Sequence, residues 1–98
     1  MIKSHSELLK EAYNLLVKEI EDKINDCERE INNINIERLK LLIHNETKPN
    51  PDPEKDEAEY SEKRDEVYKR EVEIKKQIFN LKKQLETLTL NSYSYIGI

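Results

Sequence analysis

Three prolines at alternate positions, Pro49, Pro51 and Pro53, constrain the fold of this 98-residue chain more than any other feature. Each proline fixes its own φ, lacks a backbone N–H donor and pushes the preceding residue out of the α region. No helix can therefore run through residues 45–53, and the segment is too short for a flexible linker between domains. The sequence predicts a stiff bend there, between a helix over residues 4–44 and a second helix over residues 53–88.

Both predicted helices begin with recognisable capping residues. Ser4 and Glu7 have the spacing of a capping box, in which the serine hydroxyl accepts a bond from the Glu7 amide and the Glu7 side chain returns one. Asp52 is a good N-cap for the second helix, with Pro53 at the first helical position and Glu54 in the first turn. Helices this long that contain no glycine are typical of coiled coils.

Apolar residues recur at heptad positions a and d in both predicted helices. We call the residues at these positions, where the two helices are expected to pack together, the seam. The a positions are Lys10, Val17, Ile24, Ile31 and Arg38 in the first helix, and Arg64, Glu71, Ile78 and Leu85 in the second. The d positions are Tyr13, Ile20, Cys27, Ile34 and Leu41 in the first helix, and Tyr60, Val67, Ile74, Leu81 and Leu88 in the second. The pattern predicts an all-α fold, a long antiparallel two-helix hairpin of the coiled-coil type over residues 1–90. Because an isolated hairpin has a thin core, we expect it to dimerise into a four-helix bundle.

The two heptads also predict a register. If facing residues have numbers that sum to 98, Ile24 pairs with Ile74 and Ile31 pairs with Val67, and every layer sets an a residue against a d residue. Three charged residues interrupt this seam. The predicted layers place Arg38 opposite Tyr60, Arg64 opposite Ile34 and Glu71 opposite Cys27. These residues form either a buried ionic site or, as we favour, a device that fixes register while the long stems reach outward to solvent.

The composition gives little support to catalysis or to a cofactor. The chain has one cysteine and two histidines, and it lacks metal-ligand spacing, a glycine-rich phosphate loop and a nucleophile elbow. We therefore predict a protein that is not an enzyme and holds no cofactor or metal. With no apolar run beyond three residues and a single cysteine, we also expect no membrane contact and a cytoplasmic location.

Charge is uneven along the second predicted helix. Residues 54–66 carry seven acids against three bases, whereas residues 67–90 carry six bases against three acids. The basic half suggests a regulator that binds nucleic acid through Lys69, Arg70, Lys75, Lys76, Lys82 and Lys83. The net charge is −4 and the facing part of the first helix is acidic, so we expect the hairpin to cancel most of this field, which disfavours nucleic acid as a partner.

Apolar residues off the seam predict a second interface, because a lone hairpin leaves them in water. The residues that we expect to bind a partner are Ile36, Leu39 and Ile43 near the bend, Tyr68, Val72 and Phe79 on the second helix, and Tyr93, Tyr95, Ile96 and Ile98 in the tail. The interface joins either two copies of this chain or this chain and a different protein, and we favour the homo-oligomer.

The C-terminal tail, residues 91–98, breaks the heptad. Tyr93 and Tyr95 alternate with serines, and no charged side chain is present, so the sequence predicts an extended apolar segment. The tail either folds back onto the open end of the hairpin, near residues 8–16, or adds a strand to a partner or fills its groove.

These features favour a non-catalytic protein-interaction module: a small adaptor, assembly factor or inhibitor that binds a larger protein. The amino-acid composition favours an A/T-rich genome, such as a low-GC bacterium or its phages, because Ile, Asn and Lys, which use A/T-rich codons, are abundant, and Gly, Ala, Pro and Arg, which use G/C-rich codons, are scarce. An alternative is a secreted or delivered protein, since the size and hairpin shape resemble the WXG-type secretion proteins, although the bend has no Trp-x-Gly. The nucleic-acid-binding regulator is the least favoured of these hypotheses.

Overall fold

The structure is a computed structural model and describes residues 1–97. Helix α1 runs over His5–Glu46, α2 over Pro53–Leu90 and α3 over Ser92–Ile96, and the described residues contain no strand. α1 and α2 lie antiparallel in a rod that measures 71 × 25 × 16 Å. The predicted all-α helical hairpin is confirmed, and each long helix extends two residues beyond its predicted C-terminal end.

Both N-caps form as the sequence predicts, but the described residues show only one of the two bonds of the predicted capping box, because the Glu7 side chain returns no bond to Ser4. The Ser4 hydroxyl accepts a hydrogen bond from the Glu7 amide at 3.2 Å, and the Asp52 carboxylate accepts one from the Lys55 amide at 3.5 Å. Pro53 occupies the first turn of α2. These bonds satisfy backbone donors that a helix leaves unpaired at its N-terminus.

The core of the rod is thin and unequally shared. α1 supplies four buried residues, Ile20, Ile24, Cys27 and Ile34, whereas α2 supplies only Val67. The other seam residues of α2 are half-buried or exposed. Two helices can enclose only the centre line of their interface, so most of the seam keeps one edge open to solvent.

The predicted register is wrong by nearly one heptad. Cys27 contacts Gln77, and Lys48 contacts Asp56, so facing residues have numbers that sum to about 104 rather than 98. A shift of one full heptad leaves every a residue opposite a d residue. Heptad pairing therefore could not distinguish the predicted register from the observed one.

The bend explains the shift. The Lys48 ammonium lies 2.8 Å from the Asp56 carboxylate, whose second oxygen accepts a hydrogen bond of 2.9 Å from the Asp52 amide. The proline-bearing segment thus runs on past the end of α1, and the first turn of α2 packs against the bend instead of against α1. As a result, α2 is displaced along α1 towards the bend.

The charged seam residues have other neighbours than the sequence predicted. Arg38, Arg64 and Glu71 line one shallow groove together with Asp65 and Tyr68. Arg38 and Arg64 are exposed. Because none of the described polar or charged residues is buried, the hypothesis of a buried ionic site is wrong, while the register hypothesis stays a prediction.

Local contacts account for these three charges. Arg38 donates a hydrogen bond to Asn35 at 3.3 Å, and Arg64 lies 5.8 Å from the centre of the Tyr60 ring. The half-buried Glu71 pairs with Lys75 at 2.9 Å. Each of these contacts lies within a single helix, so none of them joins the two helices of the hairpin.

The expectation of an extended tail is wrong for residues 92–96, which form α3. The helix packs on both α1 and α2, and it ends at Gly97, which adopts the left-handed conformation with φ 71°. Glycine has no Cβ and takes this conformation without strain. Ile98 lies outside the described residues.

Candidate protein-interaction surfaces

The first surface lies on the side of α1 that faces away from α2, and we name Ile36, Leu39 and Ile43 the α1 stripe. Their spacing of three and four residues places the three side chains on one face over about two turns. They are 56%, 47% and 59% exposed, so the hairpin itself leaves them largely in water. Leu42, which the sequence analysis did not single out, lies beside the stripe and is also exposed.

A second surface lies on α2, where Tyr68, Val72 and Phe79 follow one another at spacings of four and seven residues; we name these residues the α2 stripe. Tyr68 and Phe79 are 65% and 60% exposed, and Val72 is half-buried. The Lys83 ammonium lies 5.3 Å from the centre of the Phe79 ring, a cation–π geometry. The stripe therefore ends at a basic side chain.

The tail residues lie at the open end of the hairpin. The rings of Tyr13 and Tyr95 stack with centroids 5.7 Å apart, and the Tyr13 hydroxyl donates a hydrogen bond to the Leu88 carbonyl at 3.0 Å. Tyr95 and the half-buried Ile96 are therefore engaged within the chain, whereas Tyr93 is 75% exposed. The structure supports the fold-back alternative for the tail, and Tyr13 joins all three helices.

The heptad places Tyr13 on the seam, and the fold-back alternative placed the tail near residues 8–16, but neither specified a contact between Tyr13 and Tyr95. The heptad position of Tyr13 indicates that its side chain faces α2, but no local sequence pattern indicates that its ring stacks on Tyr95. Leu8, Leu15 and Leu16 surround the same end of α1 and remain exposed. The open end therefore keeps apolar surface even with α3 in place.

One edge of the seam is open along a shallow groove between α1 and α2. Ile34 and Ile74 line it beside Glu30 and Glu73, and an ion pair between Glu37 and Arg70 crosses it. This pair is half-exposed, and exposed pairs contribute about 0–1 kcal/mol. The groove has apolar residues between charged walls of both signs, so it offers no concentrated field to an ionic ligand.

Cys27 lies in the core and is a poor nucleophile. Burial raises the pKa of the Cys27 thiol, and the nearby carboxylates of Glu30 and Asp26 raise that pKa further. The thiol donates a weak hydrogen bond to the Gln77 side-chain oxygen at 3.7 Å. Because the thiolate is the reactive form of cysteine, this environment is typical of a structural residue.

The described residues contain no group of three or more His, Cys, Asp or Glu side chains arranged to hold a metal ion. Within residues 1–97, no helix combines the length and the apolar character needed to cross a bilayer.

Comparisons of the chain with protein-family models, with curated proteins and with solved structures give no match.

Proposed function

We propose that this chain is a non-catalytic protein-interaction module that inserts the α1 stripe into an apolar groove of a larger protein. The observation that carries the proposal is the α1 stripe itself: three large aliphatic side chains, each about half exposed, on the outer face of a helix. The hairpin leaves about half of each of these side chains in water, and its core consists of five other residues. Exposed apolar clusters of this kind mark protein–protein contacts.

The spacing of the α1 stripe supports a particular kind of partner. Ile36, Leu39 and Ile43 stand at positions i, i+3 and i+7, the pattern by which an amphipathic helix fills a hydrophobic groove. α1 presents them without first having to fold on the partner, because α2 already holds it as part of a hairpin. A prefolded helix loses less conformational entropy on binding than a disordered peptide does.

The proposal assigns the tail a structural role. Tyr95 and Ile96 pack at the open end of the hairpin, so they are not free to add a strand to another protein. Adaptors, assembly factors and inhibitors are the classes of protein that this arrangement suits. The proposed setting is the cytoplasm, where a single free buried thiol stays reduced.

A comparative capture experiment tests the proposal. The wild-type chain, the triple variant Ile36→Ser, Leu39→Ser, Ile43→Ser and the control variant Leu15→Ser would each be immobilised and exposed to extract, after circular dichroism has shown equal helicity. Leu15 is also an aliphatic residue of α1 and is 56% exposed, but it lies far along the helix from the α1 stripe. Its replacement therefore makes the same kind of chemical change outside the proposed binding surface. We expect a protein retained by the wild type and the control to be lost with the triple variant.

A photo-crosslinking residue locates the contact independently. Placed at position 39 it should join the chain to the captured protein, whereas at the exposed position 29 it should not. Equal retention by the wild type and the triple variant, or crosslinking at position 29 alone, would show that the α1 stripe is not the binding surface.

A further inference from the structure

A second heptad stripe runs along α2 at positions e and b, beside the seam. The α2 stripe forms its apolar centre, with Tyr68 at e and with Val72 and Phe79 at b. Asp65 at b precedes this centre, and Lys82 at e follows it. All five side chains lie on one side of α2, because e and b repeat with the same spacing as d and a.

This stripe is complementary to itself in the antiparallel direction. When two copies are paired so that facing residue numbers sum to 147, every layer sets an e residue against a b residue, as antiparallel coiled coils require. Tyr68 then faces Phe79 of the second copy, and the two-fold axis generates a second identical contact between Phe79 of the first copy and Tyr68 of the second. Val72 faces the aliphatic stem of Lys75 of the second copy, whose ammonium can remain in solvent.

The charges select the same arrangement. In this register Asp65 faces Lys82 of the second copy, and the two-fold axis generates a second identical ion pair. The wider pattern agrees, because the acidic residues 54–66 of α2 lie along residues 81–93 of the other copy, which include Lys82 and Lys83. A parallel pairing would instead set acid against acid and base against base, which is destabilising.

Burial within the hairpin points to the same face of α2. Val67 is the one α2 residue buried among the described residues, while Tyr68 and Phe79 on the neighbouring edge remain more than half exposed. Paired aromatic side chains contribute energy beyond that of their buried area. Covering the α2 stripe with a second α2 would bury these rings and give α2 a second packed side.

We propose that two copies of this chain pair through α2, antiparallel about a two-fold axis between Glu73 and Ile74, to form a four-helix assembly with α1 outermost. The proposal goes beyond the interaction module argued above, which uses the opposite helix and leaves α2 free. Pairing through α2 keeps the α1 stripe of both copies accessible, so the assembly presents two binding surfaces to partner proteins.

Charge reversal at one layer provides the test. A lysine at position 65 would face Lys82 of the second copy, and an aspartate at position 82 would face Asp65, so Asp65→Lys and Lys82→Asp should each raise the dissociation constant of the dimer at least tenfold. Mixed in equal amounts, the two variants place opposite charges in both layers. We therefore expect the mixture to recover the affinity of the wild type.

Light scattering coupled to size exclusion over a concentration series, at low and physiological salt, is the measurement. The wild type should have twice the monomer mass of 11.7 kDa at high concentration. Asp22→Lys and Arg29→Asp serve as controls, because they make comparable charge changes at exposed f positions of α1, on the side of that helix that faces away from α2 and from the proposed interface. They should leave the dissociation constant unchanged, alone and mixed.

Three results would overturn the proposal. These are a wild type that stays monomeric throughout the series, variants that dimerise like the wild type, and a mixture that fails to restore affinity. A dimer that survives the changes in α2 but is lost when the α1 stripe is replaced would place self-association on α1. None of these outcomes depends on capture of a larger protein, so the two proposals fail separately.

Discussion

The rings of Tyr13 and Tyr95 stack with centroids 5.7 Å apart and planes inclined by 21°, which ties the last helix of the chain to the first. The same Tyr13 hydroxyl donates to the Leu88 carbonyl, one of the carbonyls that the end of α2 leaves without a helical partner. One side chain therefore closes the open end of the hairpin by two different interactions.

Substitutions at this junction separate the two interactions. Tyr13→Phe removes only the hydrogen bond and should cost about 0.5–1.5 kcal/mol of the free energy of unfolding. Tyr95→Leu removes the aromatic pair and should cost a similar amount, about 0.5–1.5 kcal/mol beyond the buried area lost. Urea titrations followed by circular dichroism measure both. The control Tyr93→Leu, at an exposed position of the same helix, should change stability by less than about 0.5 kcal/mol.

The bend should lose stability in acid. The hydrogen bond from Lys48, followed by that from the Asp52 amide, lowers the pKa of Asp56. A carboxyl with a lowered folded-state pKa stabilises the fold above its unfolded pKa of about 3.9, and this contribution is lost as the pH falls through the folded value. Asp56→Asn should therefore lower the melting temperature at pH 7, and the difference from wild type should shrink as the pH falls below the unfolded pKa of about 3.9.

The same bond raises the pKa of Lys48, so its contribution is present below the unfolded lysine pKa of about 10.4 and is lost as the pH rises beyond it. Thermal melts of wild type and Asp56→Asn over the full pH range measure the loss of this contribution in acid and in base. Asp22→Asn, a matched change on the exposed face of α1, should give a small and nearly pH-independent difference. A constant effect of Asp56→Asn down to pH 2 would contradict the ion pair.

The Cys27 thiol should react slowly with iodoacetamide in the folded protein. Its pKa is raised by burial and by Glu30 and Asp26, and each unit of increase lowers the thiolate fraction about tenfold near neutral pH. Mass spectrometry of timed reactions measures the rate. A chain with Cys27→Ala and Asn25→Cys, which moves the thiol to an exposed position, should react at the rate of the unfolded protein. Equal rates for the two folded chains would show that Cys27 is open to solvent.

Engineered disulfides distinguish the observed register from the one expected from the heptads. In a Cys27→Ala background, cysteines at positions 31 and 74 should oxidise readily, because residue numbers of facing pairs sum to about 104. Cysteines at positions 31 and 67 should not, since Val67 lies beside Glu37 and Leu41, more than a turn away from Ile31. Non-reducing electrophoresis of the monomeric fraction reads out both pairs.

The sequence predicts the helices and their ends well, because the signals are local. Ser4, Asp52 and Pro53 act through bonds to residues within one turn, and the heptads define the facing sides of α1 and α2. Register is different, since a heptad pattern is unchanged by a shift of seven residues. The contact between Lys48 and Asp56 decides the register, and it depends on the path of a bend that no periodicity describes.

The candidate surfaces are predictable in part. The outward position of Ile36, Leu39 and Ile43 follows directly from the heptad, and the structure leaves all three exposed. The extended conformation predicted for the tail is wrong, because the alternation of tyrosine and serine is typical of a strand. The helix that the tail forms instead packs against Tyr13, which lies near the other end of the chain. The partner of the α1 stripe is a separate molecule, so this chain's sequence does not specify it.

The bend also sets the order in which the molecule can assemble. The contacts between Lys48 and Asp56, Cys27 and Gln77, and Tyr13 and Leu88 close loops of increasing length, with sequence separations of 8, 50 and 75 residues. Loop closure costs more entropy as the loop grows, but each contact formed shortens the loop that remains for the next. We expect the hairpin to zip from the prolines towards the termini, so the tyrosine stack forms last and its fluorescence reports when folding is complete.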